Sequence, residues 1–152
     1  MPEKKIFHAT LIELNGKGIL LQGKSQTGKS DLALRLINRY NAVLVADDIV
    51  IIENKNGILQ GYAPNNLAGL LEIRGLGIVK YPYKIQTEIL MSVHLVDSLK
   101  KITRMPKICK ENILGLEIMQ IDLYAKEDSA PDKILAAFLV FTQERFILGD
   151  NI

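Results

Sequence analysis

The sequence has little cysteine and little net charge, and both shortages exclude classes of protein. Its only cysteine, Cys109, cannot form an internal disulfide. No cysteine and histidine cluster has the spacing of a metal site, so we expect Cys109 to be a half-buried, small apolar residue. A formal net charge of +2 gives little reason to expect binding to nucleic acid, which needs a concentrated basic face.

Long apolar runs are also missing. The longest, residues 134–141, is far shorter than the roughly 20 residues that span a bilayer. The opening residues, MPEKKIFHATLIEL, are too polar for a signal peptide. With 152 residues, 48% of them hydrophobic and 24% charged, the chain has the composition of an ordinary globular protein. We expect one domain over residues 1–152, in the cytoplasm and without a membrane partner.

Alternating apolar residues and turn residues predict a mixed, partly antiparallel sheet. A strand over 5–14 is followed by a hairpin turn at 15–18 and a second strand over 18–22. The leucine spacing of 30–40 predicts a helix, and Ser129 begins another over about 131–146. Further segments are expected as the buried strand AVLVADD, the hairpin IVIIENKNGILQGY, a helical turn within 65–71, the strand-like EIRGLGIV, and strands over 87–97 and 115–125.

The octapeptide GKSQTGKS, residues 23–30, matches the phosphate-loop pattern G-x-x-x-x-G-K-[ST] between a predicted strand and a predicted helix. Its glycines permit backbone angles that aim N–H groups at phosphates, and the following helix presents its positive end. Lys29 is placed to reach the β- and γ-phosphates, and Ser30 to ligate Mg²⁺. The alternative is a solvated turn without a ligand. The residues expected to bind the nucleotide are Gly23, Lys24, Ser25, Gln26, Thr27, Gly28, Lys29 and Ser30.

Phosphoryl transfer to a hydroxyl also needs acidic residues, and Asp47 and Asp48 close an apolar strand soon after the loop. Because adjacent strand residues point to opposite faces, only one of the two can face the γ-phosphate. The pair could instead cap a hairpin. Glu72 and Arg74 are predicted on one face of a strand, where a salt bridge is the structural explanation. His8, taken alone, is more typical of a core or surface histidine.

Three motifs in this order resemble the catalytic domain of the HPr kinase/phosphorylase family. They are HATLIELNGKGILLQGKSQTGKSDLAL, LVADD and LEIRGLGI. This bacterial enzyme phosphorylates a serine of HPr, the phosphocarrier protein of the sugar phosphotransferase system. The resemblance implies a phosphate-loop α/β fold similar to phosphoenolpyruvate carboxykinase, ATP as phosphoryl donor, Mg²⁺ and HPr as partner. It also implies a homo-oligomer, since the full-length family forms hexamers.

The resemblance further implies a role for each matching residue. Residues 23–30 hold the phosphates, with Lys29 at the γ-phosphate. Ser30 and Glu72 hold the metal, and Arg74 steadies the phosphates or the loop around them.

For the chemistry, the resemblance implies that Asp47 is the acid/base that takes the proton of the acceptor serine. Asp48 lies beside it, and His8 neighbours and tunes that acid.

Departures from the family pattern sharpen the expectations. Gln26 stands where the family loop has a glycine, which predicts that this position needs no positive φ. The segment LYAKEDSAPDKILAAFL is acidic where full-length enzymes have a basic, glycine-containing segment, and it is similar to short proteobacterial forms without the N-terminal domain. Phosphorylase activity and the choice between ATP and pyrophosphate stay open. The alternatives to a kinase for HPr are a nucleotide-binding regulatory module of a phosphorelay with little catalysis and a small-molecule kinase.

Overall fold

The computed structural model describes residues 3–148, which form ten strands, two α-helices and two 3-10 turns. The strands are β1 (Glu3–Leu14), β2 (Lys17–Gln22), β3 (Val43–Ala46), β4 (Ile49–Lys55), β5 (Ile58–Tyr62), β6 (Leu70–Ile73), β7 (Gly77–Lys80), β8 (Thr87–Leu95), β9 (Cys109–Ile113) and β10 (Leu116–Leu123). The helices are α1 (Lys29–Tyr40) and α2 (Ala130–Phe141), and the 3-10 turns are Asn65–Leu67 and Leu99–Lys101. Neither helix is long and apolar enough to cross a membrane.

The sheet is mixed, as predicted, and β1 pairs with three of its strands. The second half of β1 pairs antiparallel with β2 and with β3, and its first half pairs with β4. Strand β8 runs parallel to both β2 and β10, and β9 completes that edge as an antiparallel strand. Because β2, β3, β8 and β10 share one direction, their carboxyl ends meet at one edge, where ligands of α/β proteins bind.

Two apolar cores cover the two faces of the sheet. Alternation along β2 sends Ile19 and Leu21 toward the helices and Leu20 toward the opposite face. On the helix side, α1 buries Leu32 and Leu36 against this face. On the other side, the β4–β5 hairpin closes the second core. The carboxyl edge is therefore supported from both sides by packed side chains.

Local turn chemistry accounts for the elements that the sequence predicts correctly. Helix α1 ends at Asn41, whose left-handed φ of 58° is a conformation that asparagine tolerates. The turns at 15–16 and 56–57 are Asn-Gly pairs with positive φ at both residues, as tight hairpins require. The helical turn predicted within 65–71 is present at Asn65–Leu67.

Two expectations about helices and strands are wrong, and one strand was missed. The strand-like EIRGLGIV is a hairpin, β6–β7, because positive φ at Gly75 and Gly77 lets the chain reverse. Helix α2 stops at Phe141, since the Thr142 hydroxyl bonds the Phe138 carbonyl and Gln143 turns left-handed. Strand β9 was not predicted, because no Asn-Gly or Asp-Gly pair marks the turn that follows it.

The expectation for Cys109 is also wrong. This residue begins β9 at the edge of the sheet and is exposed, so it is not the half-buried residue that composition suggests.

Candidate functional site

A cleft of about 440 Å³ lies at the carboxyl edge of the parallel strands. It is bordered by the loop after β2, by Asp48 after β3, by the β6–β7 hairpin and by the segment that follows β10. Of the residues predicted to bind a ligand, the cleft is lined by Ser25, Gln26, Gly28, Lys29, Ser30, Asp48, Glu72 and Arg74. Tertiary structure therefore gathers the loop, one of the two aspartates and the LEIRGLGI residues in one place.

The glycines of the loop are required by close backbone packing. A Cβ atom at Gly23 would lie 2.6 Å from the Thr27 hydroxyl oxygen and 3.0 Å from the Leu95 carbonyl oxygen. Gly28 has a φ of 97° and precedes α1. The Thr27 hydroxyl closes the loop by donating to the Lys24 carbonyl at 2.6 Å. The loop can therefore close on itself and against Leu95 only because position 23 has no Cβ.

Gln26 departs from its prediction. Its φ is 69°, so the position does adopt the left-handed conformation that glycine favours. A side chain other than glycine costs about 1–2 kcal/mol in this conformation. Gln26 is exposed at the rim of the cleft, so the loop keeps the backbone path that a glycine would take.

Lys29 holds the loop closed from inside. Its ammonium donates to the carbonyl oxygens of Gly23 at 2.7 Å and Lys24 at 3.1 Å. Burial lowers the pKa of Lys29, and the carboxylates of Asp48 and Asp47 partly oppose this by favouring the charged form. The ammonium is thus held next to the N-terminus of α1, where a phosphate chain would meet both positive groups.

Asp47 is a buried hydrogen-bond acceptor, only 8% exposed. Its Oδ1 accepts from the Thr10 hydroxyl at 2.8 Å and from the Ser30 hydroxyl at 2.7 Å. Its Oδ2 accepts from the Glu72 backbone N–H at 3.1 Å. Asp47 therefore connects β1, the phosphate loop and the β6–β7 hairpin, and its oxygens are directed to these donors. The acid/base role predicted for Asp47 would thus belong to a carboxylate whose two oxygens already accept hydrogen bonds.

Asp48 has the opposite environment. It is exposed, lines the cleft and has a φ of 68°. The Ile49 N–H donates to the Asp47 carbonyl at 2.8 Å, which makes Asp48 the centre of a γ-turn with positive φ, a strained form. Strain of this kind costs about 1–3 kcal/mol and is concentrated at functional sites. The turn, and not strand alternation, directs the Asp48 carboxylate to the cleft.

Glu72 and Arg74 reach the cleft from the β6–β7 hairpin. Glu72 is in β6, whereas Arg74 lies in the turn that the Leu76 N–H closes on the Ile73 carbonyl. Within residues 3–148, the two side chains form no salt bridge with each other. A salt bridge between Glu72 and Arg74 therefore does not explain this pair, and both side chains are open to a ligand.

His8 neighbours Asp48 through the backbone. It lies opposite Ile49 in the β1–β4 ladder, and the N–H of the next residue, Ala9, donates to the Asp48 carbonyl at 3.1 Å. Its side chain is exposed. The structure thus places the backbone of His8 beside the γ-turn, and the residues that line the cleft do not include His8.

The cleft is also lined by six residues that the sequence did not identify as ligand-binding: Asp31, Leu34, Arg35, Ile73, Ala125 and Lys126. Thr10, which donates to Asp47, was missed as well. It is a fully buried hydroxyl in the apolar part of β1, residues 9–12, and that isolated polar position was the signal that could have found it. Lys126 lines the cleft from the segment after β10, and no local pattern identifies it. In the part of the chain that the structure describes, no three His, Cys, Asp or Glu side chains form a metal-binding group.

The donors available for a metal nevertheless fit Mg²⁺. Ser30, Asp48 and Glu72 offer hydroxyl and carboxylate oxygens, and Mg²⁺ usually takes one or two carboxylates together with phosphates and water. The fold and this site define a phosphate-loop nucleotide-binding domain of the α/β class.

Comparison with known proteins identifies the family. The model of the HPr Serine kinase C-terminal domain matches residues 1–143, and the chain belongs to this family. The resemblance drawn from the three sequence motifs is therefore confirmed.

Similar proteins from other bacteria bear the name HPr kinase/phosphorylase. The chain is 34% identical over 129 residues to the HPr kinase/phosphorylase of Malacoplasma penetrans, covering 78% of this chain and 42% of that protein. It is 44% identical over 81 residues to the Clostridium novyi HPr kinase/phosphorylase, covering 53% of this chain and 26% of that protein. The chain thus spans less than half the length of these relatives.

A solved structure matches nearly the whole fold. The Hpr(Ser) kinase/phosphatase from Coxiella burnetii aligns with a TM-score of 0.80 at 27% sequence identity, covering 93% of this chain and 99% of that chain. The α/β fold with a mixed sheet is shared with that protein.

Proposed function

We propose that this domain is an ATP- and Mg²⁺-dependent protein kinase that phosphorylates a serine of HPr. The observation that carries the proposal is the arrangement in one cleft of the closed phosphate loop, the Ser30–Asp47 hydrogen bond and the free Asp48 carboxylate. The family and the names of its relatives supply the acceptor.

The residues of the loop would bind the donor. Backbone N–H groups of 23–30 and the Lys29 ammonium, which now contacts two carbonyl groups, would hold the phosphates. Ser30 and Glu72 would hold Mg²⁺, and Asp47 orients the Ser30 hydroxyl through their 2.7 Å hydrogen bond. When bound, Mg²⁺ neutralises charge that develops on the transferred phosphoryl group.

Asp48 is the general base in this proposal. Its carboxylate faces the cleft, whereas both oxygens of Asp47 are occupied by donors. The Asp48 carboxylate would accept the proton of the serine hydroxyl while that oxygen attacks the γ-phosphate and ADP departs. His8, beside the γ-turn, would tune this carboxylate, and Arg74 would steady the phosphates from the hairpin.

The test is transfer of labelled γ-phosphate from ATP to HPr. Lys29→Ala is expected to abolish transfer by weakening nucleotide binding, and Asp48→Asn to reduce kcat with nucleotide affinity kept. Lys110→Ala and Asp122→Asn remove exposed charges of the β9–β10 pair and serve as matched controls. Transfer at the parental rate by both Lys29→Ala and Asp48→Asn would refute the mechanism.

The same preparation separates the other activities. Chelation of Mg²⁺ should stop transfer. Transfer of the phosphoryl group from seryl-phosphorylated HPr to inorganic phosphate, which forms pyrophosphate and leaves unphosphorylated HPr, would establish a phosphorylase, with Asp48 returning a proton to the serine oxygen. Tight ATP binding with no labelled HPr would instead favour a regulatory nucleotide-binding module.

The proposed partner and phosphoryl donor also indicate a cellular compartment. HPr and ATP are both found in the cytoplasm, and we propose that compartment for this protein.

Leu76 and Ile78, 74% and 71% exposed on the β6–β7 hairpin, are apolar surface of the kind that subunit contacts bury, and they support a homo-oligomer. Sedimentation velocity of the full chain measures the oligomeric state directly.

A further inference from the structure

The phosphate loop has two different flanks. Strand β3, which leads to the acids, lies on the β1 side of β2, whereas β8 and β10 lie on the other side. The flank toward β3 contains Asp47, Asp48 and, from the hairpin, Glu72, which are groups suited to the metal and the transferred phosphate. A phosphate chain on the loop must therefore extend its other end toward the β10 flank.

The β10 flank of the cleft is basic and partly apolar. It is lined by Ala125 and Lys126, which follow β10, and by Asp31, Leu34 and Arg35 of α1, of which Asp31 and Arg35 form an ion pair. Ala125 lies against the loop itself, since a Cβ at Gly28 would be 3.3 Å from the Ala125 Cβ. Lys126 is thus next to the phosphate loop in space, although no motif connects the two segments.

Arg35 holds this segment in place. Its guanidinium donates to the carbonyl oxygens of Ala125 and of Glu127, the latter at 3.1 Å, and is braced by Asp31 of the same helix at 3.1 Å. The two carbonyl groups are those on either side of Lys126. The position of the Lys126 backbone is therefore tied to α1, the helix that begins at the phosphate loop.

The charges of this segment are paired, with one exception. Glu127 forms an ion pair with Lys133 at 2.8 Å, and Asp128 forms one with Arg39 at 3.4 Å. Among residues 3–148, Lys126 forms no such pair, and its side chain is exposed at the cleft. An unpaired ammonium on a fixed backbone, beside a phosphate loop, is suited to an anionic oxygen.

We infer that Lys126 binds the α-phosphate and ribose end of a nucleoside di- or triphosphate, with Leu34 as the apolar surface beneath it and Arg35 as its positioning residue. This inference rests on the proposed function for the donor class and assigns a subsite beyond the phosphate loop. It makes Lys126 a determinant of nucleotide over inorganic pyrophosphate, because pyrophosphate fills only the two phosphate positions on the loop.

The test compares the dissociation constants of Mg-ATP, Mg-ADP and Mg-pyrophosphate by calorimetry, with no HPr present. Lys126→Met keeps the aliphatic stem and removes the charge. It is expected to weaken both nucleotides about tenfold, the value of one modest charge-assisted hydrogen bond, and to leave pyrophosphate unchanged. Lys133→Met removes a lysine charge near the same segment but away from the cleft and should change none of the three constants.

Arg35→Lys tests the positioning role. Lysine cannot donate in a fork to both carbonyl groups, so this variant should show the same selective loss of nucleotide affinity. The double variant, Arg35→Lys with Lys126→Met, should bind nucleotide no worse than Lys126→Met, because both substitutions remove the same interaction of Lys126 with the nucleotide. A merely structural role of Arg35 would lower stability and weaken pyrophosphate and nucleotide equally.

Equal loss of nucleotide and pyrophosphate in Lys126→Met, or no loss of either, overturns the inference. So does a parent protein that binds pyrophosphate but not nucleotide. Because these measurements need no acceptor, selective nucleotide loss combined with no phosphorylation of HPr would refute the proposed kinase and leave this subsite standing.

Discussion

The two neighbouring aspartates should differ sharply when each is changed to asparagine. Asp47 accepts three hydrogen bonds while almost wholly buried. Asparagine retains the shape, but its NH₂ group cannot accept a hydrogen bond, so at least one of the three bonds is lost and the others lose charge assistance, at about 1 kcal/mol for each bond. Relief from burying a charge offsets part of this loss. We expect Asp47→Asn to lower the free energy of unfolding by about 2 kcal/mol.

Asp48→Asn should leave stability almost unchanged. The Asp48 side chain is exposed, and asparagine tolerates the positive φ of 68° as aspartate does. A surface change of this kind stays within about 0.5 kcal/mol. Loss of general-base assistance should reduce kcat for transfer to HPr by about 10²–10⁴-fold.

Two assays on the same variants decide between the aspartates. Urea unfolding followed by circular dichroism measures stability, and transfer is measured as a function of Mg²⁺ concentration. Asp47→Asn should also raise the Mg²⁺ needed for half-maximal rate, because Ser30 loses its charged partner. Normal stability with abolished transfer in Asp47→Asn, together with an active Asp48→Asn, would refute this reasoning and restore Asp47 as the base.

Three further changes test other parts of the fold. Gln26→Gly should be more stable than Gln26→Ala by about 1 kcal/mol in thermal unfolding, since only alanine pays the cost of a positive φ; equal stability would contradict the loop geometry. Gly61→Ala should destabilise by about 1–3 kcal/mol by overpacking, because its Cβ would lie 2.4 Å from Leu11 Cδ2 in a closed core; an unchanged urea midpoint would count against this packing. Burial raises the pKa of Glu111, but hydrogen bonds from His94, Ser92 and Gln22 outweigh it and hold that pKa below its ordinary 4.5. The stabilisation by ionised Glu111 is therefore complete above pH 4.5 and lost as pH falls through the lowered pKa. The parent and Glu111→Gln can be unfolded in urea at several pH values. The difference between their free energies of unfolding should shrink in acid, and growth of that difference would contradict the argument.

Local patterns in the sequence were sufficient for much of the fold. The loop at 23–30, helix α1 and the Asn-Gly turns depend on residues close together in the chain, so their chemistry is visible without tertiary structure. Alternation likewise predicted most strands. It did not predict β9, which has no distinctive alternation. It also did not predict the turn that separates β6 from β7, because alternation does not mark where a chain reverses.

The different environments of Asp47 and Asp48 were decided only by tertiary structure. The sequence placed both acids at the end of a strand, and alternation required one to face the cleft without saying which. Thr10, 37 residues before Asp47, and the Glu72 backbone, 25 residues after it, occupy the Asp47 oxygens. The γ-turn then directs Asp48 outward.

The same reason explains the β10 flank of the cleft. Arg35 contacts carbonyl groups 90 and 92 residues away, and that contact places Lys126 beside the phosphate loop. By itself, the sequence predicted that a phosphate is bound and which loop binds it. The packing of distant strands decided which acid, hydroxyl and lysine surround that loop, because hydrogen bonds between remote segments leave no spacing pattern along the chain.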